Sequence, residues 1–189
     1  MRQLYKPLLS LCGLFVLAVA ALQAAIDVPV AGNLQQDGQT ALDSRLPVML
    51  VFSAISCSHC DELEEEFIRP MLLGGEYSDR ILIRKLLLDN GSSLNDFAGR
   101  RRSVEDFARS YGVYVTPTIL FVDHTGRQLA ERMVGINTIE MYGGYLDQCI
   151  DTALMHIREP ERAAAREACR LILRRPGDAS PARFNPATT

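Results

Sequence analysis

Residues 47 to 60, "PVMLVFSAISCSHC", constrain this chain more than any other stretch. The first eight are an unbroken apolar run rich in strand formers, which predicts a buried strand. Beyond the cysteines, Leu63, Phe67 and Ile68 have helical spacing, and Pro70 is expected to limit how far that helix runs. Cys57 and Cys60 therefore stand where a buried strand gives way to a helix. There Cys57 lies near free backbone N–H groups and the positive end of the helix dipole. Both favour thiolate over thiol, and cysteines so placed fall to roughly 3.5–7.5 from about 8.5. Cys60 follows one turn later on the same side, within disulfide reach.

Three uses compete for such a pair. A zinc site takes four ligands, and Cys57, Cys60 and His59 supply three at most, with no second C-x-x-C or H-x-x-H in the chain. A structural disulfide across so small a loop removes little chain entropy and stabilises weakly. A reactive dithiol remains, with Cys57 as the exposed nucleophile and Cys60 as the sheltered resolving thiol. Ser58 and His59, between the cysteines, are the tuning residues. His59 can donate to the Cys57 thiolate, which favours the reduced form and makes the pair more oxidising. Asp61, Glu62, Glu64, Glu65 and Glu66 follow at once and oppose a thiolate. As a helix start, the same acids are an ordinary surface feature.

Residues 33–45 read as a short leading helix, and "RILIRKLLL" (80–88) as a second buried strand. Ser103 with Asp106 marks a helix start, and Gly112 suits its stop. Strands at about 118–123 and 127–134 flank a turn containing Gly126 and make a hairpin. Asn137 with Glu140 starts a long helix, about 138–158, and Pro160 restarts a final one, about 161–174. The first two strands, joined through a helix, should be parallel, and the hairpin adds antiparallel strands. The fold class is α/β: a mixed central sheet of about four strands, helices on both faces and an extra C-terminal helix.

Arg2 and Lys6 precede the apolar run "LLSLCGLFVLAVAAL", and Ala24 and Ala25 follow it. This pattern reads as a secretory signal peptide over residues 1–25, with an uncleaved anchor as the alternative. Export is expected to place the protein in an oxidising compartment. Losing Arg2 and Lys6 takes the net charge from −3 to −5, which argues against a nucleic-acid binder. Four cysteines then remain. Cys149 and Cys169 fall on the last two helices, where a structural disulfide pinning the C-terminal helix is expected. The domain is expected over 26–158, the C-terminal helix over 159–175 and a disordered tail over 176–189. His124 and His156 belong to no motif and read as structural. Arg162, Arg166, Arg170 and Arg174 recur every four residues and read as a solvated face.

The C-x-x-C at a strand-to-helix junction, "VTPT" at 115–118 and a following hairpin with Gly135-Ile136 together resemble the thioredoxin superfamily, with secreted bacterial thioredoxin-related proteins the nearest in layout. The resemblance covers about residues 33–155. It implies a cis bond before Pro117 and a substrate groove of Ile55, Ser56, Val115, Thr116, Gly135 and Ile136, where substrate backbone pairs like an added strand. It implies a thiol:disulfide oxidoreductase that needs no cofactor, acts on protein thiols and disulfides, and exchanges electrons with a membrane thiol-transfer protein. A monomer is expected. Two departures stand out. Val51 replaces the family's buried aspartate, the proton acceptor for the inner thiol, so that proton must go to water or Glu62. Ser56 replaces the usual tryptophan. A reductant or exchange role is favoured, ahead of an oxidase and then an isomerase. The reading from another class is a binding or assembly protein whose dithiol is idle or holds a metal.

Overall fold

The computed structural model describes residues 27–173, with side chains to residue 166. The leader and the tail expected from the sequence lie outside the described residues, as do the side chains of Cys169 and Arg170. In chain order the elements are α1 (Leu34–Ser44), β1 (Val48–Ser53), a continuous helical run α2, β2 (Leu82–Leu87), β3 (Ser93–Asn95), β4 (Arg101–Ser103), α3 (Val104–Ser110), β5 (Thr118–Val122), β6 (Met133–Val134), α4 (Ile139–Arg158) and α5 (Pro160–Leu173). The run α2 joins an α segment Ser58–Leu63, a π turn Glu64–Ile68 and an α segment Arg69–Gly74. No described helix is long and apolar enough to cross a membrane.

The sheet has the order β2-β1-β5-β6. β1 runs parallel to β2 and antiparallel to β5, and β6 completes the edge antiparallel to β5. Every residue of β1 is buried, because both faces of the sheet are covered. Side chains alternate between the faces. Met49 and Val51 join Ile119 and Phe121 beneath Leu63 and Ile68 of α2 and Leu146 and Ile150 of α4. Val48, Leu50 and Phe52 join Leu120 and Val122 against Leu34 of α1 and Phe107 of α3. Burying a side chain such as Phe52 contributes about 1.5–3 kcal/mol.

Four local expectations change. The helix does not stop at Pro70. A proline N cannot donate and its ring crowds the preceding turn. The chain widens just before it, with Arg69 N–H reaching Glu64 O, five residues back, and α2 continues to Gly74. The small β3–β4 sheet was not foreseen: "SLN" and "RRS" carry no apolar alternation. In the hairpin, only Met133–Val134 form ladder with β5, plus an isolated bridge from Val122 to Gln128. Between these, the Gln128 side chain donates to Ala130 O and Arg132 to Tyr111 O, which takes the chain off the ladder. Last, α4 is preceded by Thr138 with no side-chain cap, so the expected Asn137 start is not formed.

Candidate active site

Ser53 ends β1, and four residues later Cys57 caps α2. The connecting loop is held by Asp89, whose carboxylate oxygens accept from Ile55 N–H at 3.0 and 3.1 Å. Asp89 follows β2, so the parallel β1–β2 pairing sets where the dithiol sits. Cys57 and Cys60 are joined by a disulfide, with Cα atoms 5.2 Å apart. Cys57 is half-buried, whereas Cys60 is only 2% exposed. One sulfur is open to a partner and the other is not.

Two donors meet the Cys57 sulfur. Cys60 N–H lies 3.2 Å from it, as a helix-capping bond, and the Thr116 hydroxyl lies 3.5 Å away. The Thr116–Pro117 bond is cis. Pro117 is buried, Thr116 half-buried and Val115 exposed. Gly135 N–H donates to Pro117 O at 2.8 Å, which sets Gly135 and Ile136 beside this loop. Ile55, Val115 and Val134 are exposed apolar residues of the rim. Tyr114, next to Val115 in sequence, is also exposed and is not among the residues expected from sequence. The Val115 carbonyl accepts from the Thr118 hydroxyl, so one of its lone pairs is already engaged.

His59 turns away from the expected bond. Its side chain is 70% exposed, and Nδ1 meets Glu62 Oε2 at 3.3 Å. The Cys57 sulfur is served instead by Cys60 N–H and Thr116. The acidic run is also partly neutralised: Glu65 faces Arg69, and Glu64 takes Lys85 at 2.9 Å. The local field therefore opposes a Cys57 thiolate less than a row of free carboxylates would.

Cys149 on α4 is a free thiol, its Sγ 3.6 Å from Glu131 O. The expected disulfide to Cys169 is thus not among the bonds of this structure, and the side chain of Cys169 lies outside the described residues. Burial, with the nearby Glu131 carboxylate adding to it, pushes the Cys149 thiol up to about 11, which disfavours its thiolate near neutral pH. His124 and His156 line a cavity of about 260 Å³ with Asp123 and Pro160. Because β5 runs antiparallel to β1, this cavity lies at the opposite end of the sheet from the dithiol. Among the described residues no group of three or more His, Cys, Asp or Glu stands close enough to hold a metal ion.

Chemically, an accessible sulfur with two hydrogen-bond donors, linked to a sheltered one, is the arrangement that thiol–disulfide exchange needs. A profile of the thioredoxin-like domain matches residues 34–150. No curated protein matches the chain. Among solved structures it is similar to a thioredoxin-fold protein from Helicobacter pylori, at 16% identity and TM-score 0.47, covering 71% of this chain and 94% of that one. It is also similar to oxidised thioredoxin O2 from Arabidopsis thaliana, at 18% identity and TM-score 0.43, covering 64% and 91%. Mitochondrial thioredoxin 3 from Saccharomyces cerevisiae, oxidised form, gives 18% identity and TM-score 0.42 over 64% and 94%. With its profile matched from the first helix through most of α4, this chain belongs to the thioredoxin-like domain family.

Proposed function

We propose that the protein is an exported thiol:disulfide oxidoreductase that reduces or exchanges disulfides of periplasmic proteins. The carrying observation is the asymmetric pair: a half-buried Cys57 sulfur with donors from Cys60 N–H and Thr116, joined to a buried Cys60. Cys57 attacks a substrate disulfide, a mixed disulfide forms, and Cys60 resolves it. Export rests on the basic, apolar and small-residue sequence of residues 1–25, and a membrane thiol-transfer protein would supply electrons, since the periplasm holds no reducing buffer. Insulin reduction driven by dithiothreitol tests the activity. The wild type should accelerate precipitation of the insulin chains well above a Cys57→Ser control. Equal rates would sink the reading in favour of a binding protein with an idle dithiol.

One observation favours an oxidase as second reading. The two donors on Cys57 stabilise a thiolate, hence the reduced form, and make the dithiol more oxidising. The equilibrium potential against glutathione separates the two: a value near −270 mV fits a reductant and one near −120 mV an oxidase.

A further inference from the structure

Dithiol chemistry gives no role to the cavity of about 260 Å³ at the far end of the sheet. Three distant segments enclose it: the end of α1, the turn after β5 and the junction of α4 with α5. Its volume approaches the roughly 300 Å³ at which small-ligand sites begin. Buried Ala41 and Leu46 and half-buried Ile157 give it an apolar wall, with exposed Leu42 and Pro160 beside them.

The polar groups of the cavity are unevenly satisfied. Asp123 has little left to offer, because its two oxygens already accept from Thr125 and Arg127. It also cancels the charge of Arg127. Arg45 stands apart from that pair. Its guanidinium donates through Nη2 alone, to Arg158 O at 3.3 Å, and Arg158 Nε donates back to Arg45 O at 3.4 Å. Arg158 Nη2 donates to the Asp79 carbonyl. Neither guanidinium meets a carboxylate among the described residues. The C-terminal ends of α1 and α4 supply about −0.5 each, so two guanidiniums leave about one positive charge uncompensated. Arg45 also holds a left-handed φ of 55°, alone among the described residues other than glycine. Glycine is the residue such a helix end favours. An arginine there gives up backbone ease and sets a cation at the cavity. The His124 ring lines the same space without a hydrogen-bond partner among the described residues.

Spare donors, a spent acceptor and an apolar wall select an anion that carries hydrocarbon. We propose that this cavity binds a small monocarboxylate with an apolar body, an aromatic or branched aliphatic acid. Its carboxylate accepts from the unused Arg45 N–H groups, and its hydrocarbon lies against Leu46 and Ile157. A fully polar anion would leave that wall in contact with water. The site stands independently of the oxidoreductase reading.

Sodium benzoate, titrated into the full chain at constant pH, is the probe. The chain has three histidines, so their imidazole proton signals are few, and His124→Gln and His156→Gln assign them. His124 and His156 line the cavity, whereas His59 stands by the dithiol at the opposite end and serves as internal control. The signals of His124 and His156 should move and saturate with a dissociation constant of about 1–10 mM, as suits so small a ligand, while His59 stays in place. Benzamide has the same shape without the charge, and sodium chloride matches the ionic strength. Neither should give a saturable shift. Arg45→Asn removes the cation, suits the left-handed backbone and should weaken benzoate about tenfold or more. Thermal melts show whether that variant is folded, and the benzamide comparison on the wild type decides if it is not. The inference is overturned by the absence of a saturable shift, by equal movement of all three histidines or by equal binding of benzamide. Shifts reproduced by chloride, or an unchanged affinity in folded Arg45→Asn, overturn it too.

Discussion

Thr116 offers its hydroxyl to the Cys57 sulfur from 59 residues away in sequence. Thr116→Val keeps the shape and removes the donor. A hydrogen bond contributes about 0.5–1.5 kcal/mol net, so alkylation of reduced Cys57 by iodoacetamide near neutral pH should slow about 2- to 12-fold. At the far end of the sheet Asp123 is more connected. Its Oδ1 accepts from Thr125 N–H, the Thr125 hydroxyl and Arg127 N–H, and its Oδ2 from Arg127 Nε. Burial alone would raise this carboxyl, but the bonds from Thr125 and Arg127 outweigh it and hold it below the usual range. Its stabilisation is therefore complete above the unfolded value of about 3.9 and is lost as pH falls through the lower folded value. Asp123→Asn should cost about 1–3 kcal/mol at neutral pH and flatten part of the loss of urea resistance below about pH 4.

At the scale of elements, two glycines in helices make opposite predictions. Gly38, inside α1, faces the loop after β5, and a Cβ there would stand 2.5 Å from His124 O, a backbone atom. Gly144, inside α4, is exposed with open space around it. Alanine is a better helix former than glycine by about 1 kcal/mol. Gly144→Ala should thus stabilise by about that amount. Gly38→Ala should destabilise by about 1–3 kcal/mol, since overpacking against backbone outweighs propensity. Urea midpoints of the two variants should move in opposite directions. The elements themselves were largely legible. The apolar runs 47–54 and 80–88 are β1 and β2, and Ser103 caps α3 through Asp106 N–H. What escaped was set by non-local bonds. The β3–β4 pair depends on a turn where Asp96 accepts from Ala98 and Arg100 N–H. Passage through Pro70 depends on a widened turn in α2 that apolar spacing does not encode.

For the whole molecule, the dithiol and the C-terminal helix occupy different ends. α5 packs on α4 with Ala163 buried, and Pro160 borders the cavity of His124 and Asp123. Ending the chain after Glu159 should lower the melting temperature by several degrees, as expected for a loss of about 1–2 kcal/mol in a domain of this size. Insulin reduction driven by dithiothreitol should keep its wild-type rate. A truncated protein with a slowed dithiol would show that α5 supports the site through α4.

The sequence alone determined what local chemistry can: a buried strand handing over to a helix at Cys57, a second cysteine one turn on, and a succession of strands and helices that suits a mixed sheet covered on both sides. These follow from apolar spacing and helix geometry within windows of a few residues. Tertiary structure decided which distant groups meet. Glu64 is one acid among five in "DELEEE", and Lys85 one of two adjacent cations in β2, beside Arg84. Their pairing, across 21 residues, exists only because β1 and β2 run parallel and α2 lies over them. Thr116 reaches Cys57, and His59 turns to Glu62, for the same kind of reason. Such contacts depend on strand register and packing between distant segments, which no single stretch of sequence contains.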